Sequence, residues 1–79
     1  MKPTPTQRAC LQRLADSPCS LTSWQIAAGV PRASWRSIDA LLIGGLVKID
    51  RDWTAVGARE MDIYLCVTSE GLAELAARP

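Results

Sequence analysis

Two arginines four residues apart, Arg32 and Arg36, stand in the run Pro31-Arg-Ala-Ser-Trp-Arg-Ser37, among alanine and serine. A guanidinium presents a planar fork of donors that fits a phosphate or a guanine edge bidentately, and small neighbours let a helix axis approach such a target closely. On a helix the spacing puts both forks on one side, with Ala33 and Ala40 beside them and Ser37 toward the edge. Solvated surface charge is the plainer reading of the same pair, because Asp39 can neutralise Arg36 across one turn. Bond-making chemistry has less to work with. Histidine is absent, and Cys10, Cys19 and Cys66 are odd in number and widely separated, without metal or redox spacing. No carboxylate pair sits in a cleft-forming motif and no phosphate loop is signalled, so the sequence predicts no catalytic residue, no metal and no cofactor.

The elements that would position the arginines can be read from their caps. Thr4 with Gln7, and Pro5 between them, start a helix that runs to about Asp16 and is ended by Ser17-Pro18. It buries Cys10, Leu11 and Leu14 and leaves Arg8 and Arg13 outside, within reach of a phosphate. Thr22 with Gln25 repeats the pattern for a short helix through Ala28, which Gly29 is expected to end in a left-handed turn. Pro31 is then expected to open a longer helix, 31 to 43, stopped by Gly44 and Gly45; its length of about 20 Å would cross a major groove. Steps of three and four place Trp35, Ile38, Leu41 and Leu42 on its core face. Trp24 is expected to be partly exposed.

Beyond Gly45 the period changes to two. Val47, Ile49 and Trp53 alternate with polar residues, as do Met61, Ile63, Leu65 and Val67, which predicts two half-buried strands joined by a loop over residues 54 to 59. Gly57 supplies its turn. Lys48, Arg51 and Arg59 are the hairpin's phosphate candidates, set against Asp50, Asp52, Glu60 and Asp62, so only the tip is expected to approach a nucleic acid. Thr68-Ser69-Glu70 begins a last helix, with Leu72, Leu75 and Ala76 as its apolar face, ending at Pro79. It can pack on the first helix or extend a dimer contact.

Length and charge set the outer bounds. The 79 residues, 48% hydrophobic and 22% charged, predict one domain spanning 1–79. Residues 1 to 38 hold five cationic side chains against one anionic, and residues 39 to 79 hold four against seven, so the modest net charge of +1 conceals a basic half containing the two arginines. No run approaches the length of a membrane span and the first residues lack a signal-peptide core, so the expected setting is cytoplasmic, with no membrane partner.

The run Ile26-Ala-Ala-Gly-Val-Pro-Arg, the corner Gly45-Leu46-Val47 and the segment Leu65-Cys-Val-Thr-Ser-Glu-Gly-Leu72, in this order of elements, together resemble the winged helix-turn-helix DNA-binding domains of bacterial and phage regulators, the MarR-like group in particular. The resemblance implies an α+β fold with a three-helix core, a two-stranded β-hairpin wing and a short C-terminal helix. It also implies a transcription regulator that binds double-stranded DNA sequence-specifically. Arg32, Ala33, Ser34, Arg36 and Ser37 would then form the base- and phosphate-contacting part of the recognition helix, with Lys48, Gly57 and Arg59 from the wing. A homodimer is a further implied partner. The alternative is a winged-helix module that binds another protein through its acidic hairpin and the apolar groups Ile43, Trp53 or Val56.

Overall fold

Side-chain hydroxyls decide where each helix begins. The computed structural model describes residues 2–77. Thr4 accepts from the Gln7 amide while the Gln7 side chain accepts from the Thr4 amide, and helix α1 follows over Pro5–Asp16. Thr22 and Gln25 repeat this reciprocal pair ahead of α2, Ser23–Ala28. Ser34 and Ser37 do so ahead of α3, Trp35–Ile43. Thr68 accepts from the Gly71 amide at the start of α4, Ser69–Ala76. The Pro79 stop lies outside the described residues.

Three short strands join the helices among the described residues: β1 at Leu21–Thr22, β2 at Val47–Ile49 and β3 at Tyr64–Val67. They form an antiparallel sheet in the order β1-β3-β2, with Leu21 opposite Leu65 and Val47 opposite Val67. The fold is therefore a small α+β domain of four helices and a three-stranded antiparallel sheet among the described residues. Leu11, Ile26 and Leu41 are fully enclosed where α1, α2 and α3 meet, with Leu46, Val47 and Leu65 closing the core from the sheet side. Removing a side chain as well enclosed as these costs about 2–5 kcal/mol.

Four expectations are corrected. The helix expected from Pro31 starts at Trp35, because residues 30 to 33 form a turn closed by the Ala33 amide on the Val30 carbonyl, 3.2 Å. Pro31 followed by Arg32 at φ 66° gives that turn the type II pattern, and a left-handed residue cannot open an α-helix. Gly29 is not left-handed: its φ is −92°, and its missing side chain makes room for the Arg13 guanidinium instead. The hairpin strands do not reach Trp53 or Met61. Asp50 accepts from the Asp52 amide and Thr54 from the Tyr64 amide, so residues 50 to 63 form a structured loop ending in a 3₁₀ turn at Glu60–Asp62. Gly57, at φ 77°, turns that loop as its position suggested. Finally the sheet has a third strand, β1, rather than two.

The last helix is tied to the first by an arginine. Arg8 donates to the carbonyls of Glu74, Leu75 and Ala77 at 3.0, 3.1 and 2.7 Å, satisfying the exposed end of α4. Leu75 packs against the core, whereas Leu72, expected beside it, is 55% exposed. The start of α4 is locked to the corner after α3. There the Thr68 amide donates to the Leu46 carbonyl at 3.1 Å and the Thr68 hydroxyl to the Gly45 carbonyl at 2.7 Å. Gly71 is buried in this clasp, and a Cβ on it would collide with the Leu46 carbonyl oxygen.

Candidate nucleic-acid interface

With its start moved to Trp35, α3 keeps the core face read from the sequence except at its first residue. Ile38 and Leu41 are buried and Leu42 is partly so, while Trp35, Arg36, Asp39 and Ile43 face outward. Trp35, expected in the core, is 61% exposed, and Ile43 is 81% exposed. Trp35 is the first residue of α3 and borders open clefts shared with Ser23 and Trp24 of α2, which leave most of its surface in solvent. The Arg36 guanidinium lies 5.5 Å from the Trp35 ring centroid, a cation–π contact of about 0.5–1 kcal/mol at an exposed site. The described contact of Arg36 is thus the indole.

A groove of about 540 Å³ runs between this end of α3 and the loop after β2, lined by Ser23, Trp24, Trp35, Arg59, Glu60 and Met61. Trp24 is also 61% exposed, as its place in the first turn of α2 suggested. A smaller apolar cleft of about 90 Å³ adjoins it below Trp35, floored by Ile38, Leu42, Ile49, Ile63 and Leu65, with Asp39 and Glu60 among its lining. The surface therefore combines apolar rings with both signs of charge.

The expected contact residues are partly gathered and partly dispersed. Arg36 lies against Trp35, Arg59 lines the same groove as Trp35, and Arg32 is exposed in the turn just ahead of the helix. Arg32 is not on the same helical face as Arg36, because it is outside the helix. Ala33 is half-buried against the core. Ser34 and Ser37 engage each other's turn in the cap, which leaves their hydroxyl hydrogens as remaining donors. Lys48 pairs across the sheet with Cys66, on the face turned away from Leu65 and α3. Gly57 marks the far bend of the loop, outside the groove.

Arg8 and Arg13, which the sequence left free for phosphates, are committed internally. Arg8 holds the carbonyl end of α4, and the Arg13 Nε donates to the Gln25 carbonyl at 3.1 Å. Sequence reasoning missed the exposure of Trp35, and it did not place Trp24 and Met61 at the candidate site. Trp35 directly follows the capping Ser34, as Trp24 follows Thr22 by two residues, and that was the available signal.

No family model, curated protein or solved structure matches this chain.

The electrostatics elsewhere are quiet. Burial pushes the Cys10 thiol up, and burial with the Asp50 carboxylate pushes the Cys66 thiol up against a smaller opposing effect of Lys48. Glu70 is held below the usual carboxylate range by its own main-chain amide, then by the Ser69 hydroxyl. Among the described residues no three His, Cys, Asp or Glu side chains stand together as a metal site, and no helix is long and apolar enough to cross a membrane.

Proposed function

We propose that this domain is a small winged helix-turn-helix regulator that binds double-stranded DNA, with α3 in the major groove and the 50–63 loop beside the flanking backbone. The observation that carries the reading is the unobstructed outer face of α3, flanked by Arg32, Arg36 and Arg59. Nine residues at about 1.5 Å each give α3 a length of about 13 Å, which matches a major groove about 12 Å wide. The clasp at Gly45, Leu46, Thr68 and Gly71 gives a physical reason for the two short motifs that resemble MarR-like domains.

Fluorescence anisotropy with random-sequence duplex tests it. Arg32 and Arg59 meeting phosphates give a log–log salt slope of about −1.8, and Arg59→Ala reduces its magnitude by about 0.9. A duplex affinity that ignores both salt and Arg59→Ala refutes the assignment. The exposed Ile43, Trp53 and Val56, with carboxylates at Asp50, Asp52, Glu60 and Asp62, favour a second reading as a protein-docking module. Heparin at low salt separates the two, because an acidic docking loop flows through.

A further inference from the structure

The outer face of α3 carries an indole, a guanidinium, a carboxylate and a butyl group in succession: Trp35, Arg36, Asp39 and Ile43, all exposed. Such a face does not suit a phosphate backbone. An aligned carboxylate repels phosphates, and an indole or an isoleucine gains nothing from them. The major-groove edges of base pairs offer the matching mixture: the guanine O6 and N7 acceptors for an arginine fork, the cytosine N4 amine for a carboxylate, and the 5-methyl group of a pyrimidine for an apolar side chain. The 5-methyl is the apolar feature of that groove, so an exposed aromatic in the first turn of a groove-entering helix has it as partner.

Resting on the DNA-binding reading above, we propose that Trp35 is a specificity-determining residue that packs against a pyrimidine 5-methyl group, while Arg36 reads an adjacent guanine. The 5.5 Å separation of guanidinium and ring keeps the two side chains together, so methyl and guanine are recognised as neighbours. Trp24 and Met61 line the same groove as the indole and make the surroundings of the contact apolar.

The experiment starts from duplexes selected from a random pool at low salt. Each thymine of a selected duplex is replaced singly by deoxyuridine, and affinity is measured for the wild type, Trp35→Ala and Trp53→Ala. Loss of one buried methyl weakens the wild type about fourfold at one position. Trp35→Ala binds the thymine and deoxyuridine duplexes alike, and Trp53→Ala retains the discrimination. Cytosine against 5-methylcytosine at that position separates the sources of the methyl: a gain of the same factor shows that the methyl itself is read, whichever base carries it. Trp35 is exposed, so its variant is expected to melt with the wild type, and Trp35→Leu, which keeps an apolar group, retains part of the effect. Duplex binding without methyl sensitivity, or with sensitivity that survives Trp35→Ala, overturns the inference and leaves the function standing. Failure to select any duplex overturns both.

Discussion

Gly71→Ala sets two effects of opposite sign against each other. Helix propensity alone favours alanine over glycine by about 1 kcal/mol inside a helix such as α4. The added methyl, however, meets the Leu46 carbonyl oxygen and the Val67 side chain, both parts of the sheet corner rather than the far end of a flexible chain. Relief requires α4 to back away. That stretches the bonds from Thr68 to Leu46 and Gly45, at 3.1 and 2.7 Å, each contributing about 1 kcal/mol. Partial uncovering of Leu75 and Val67 adds about 1 kcal/mol more. The balance is a destabilisation of about 2 kcal/mol, which lowers the melting temperature of a domain this size by about 8–16 °C. Thermal melts followed by circular dichroism at 222 nm measure it. Ala73→Gly, at an exposed site of the same helix, serves as control and costs about 1 kcal/mol through propensity alone. An unchanged or raised melting temperature for Gly71→Ala would mean that the clasp tolerates the methyl and that propensity decides.

Arg8→Lys keeps the charge but loses the fork that spans three carbonyls, so it is expected to lower the urea midpoint by an amount equivalent to about 1–2 kcal/mol; a midpoint equal to the wild type counts against the α1–α4 tie. Alkylation of the native protein near pH 8, read by peptide mass, should mark Cys19 first because it is exposed, Cys66 more slowly and Cys10 last because it is fully enclosed. Early labelling of Cys10 contradicts the core assignment. Glu70 has a folded-state pKa below its ordinary value, so its contribution is present above the ordinary carboxylate range and is lost as pH falls through the folded value. The melting-temperature gap between wild type and Glu70→Gln should therefore close on acidification, and a gap that widens toward low pH would show the opposite sign.

The helix starts at Thr4, Thr22 and Thr68 were legible because a cap is a local bargain between one side chain and the next turn. Pro31 was ambiguous for a physical reason: the same fixed φ suits the first residue of a helix and the second residue of a turn. Only the left-handed Arg32 decides between them. β1 is two residues long, and it exists because β3 lies beside it, a pairing across 44 positions of sequence with no periodicity to announce it. Alternation beyond Ile49 persisted in the sequence, yet the Asp50 and Thr54 side chains take over the main-chain partners that a ladder would need. Trp35 fell on an apolar spacing of three and four with Ile38 and Leu42, which holds for the face but not for the depth, because the first helical residue borders open clefts. The candidate site inherited that error, gaining the Trp35 indole and losing Ala33 to the core.

Among the described residues Arg8 and Arg13 fasten helices by gripping carbonyl groups, with no carboxylate as counterpart. Neutral acceptors leave mobile ions little to screen. Added sodium chloride should accordingly leave the melting curve nearly fixed while it strips away anything held by Arg32, Arg36 and Arg59. Ionic strength thus becomes a dial that turns association without turning folding.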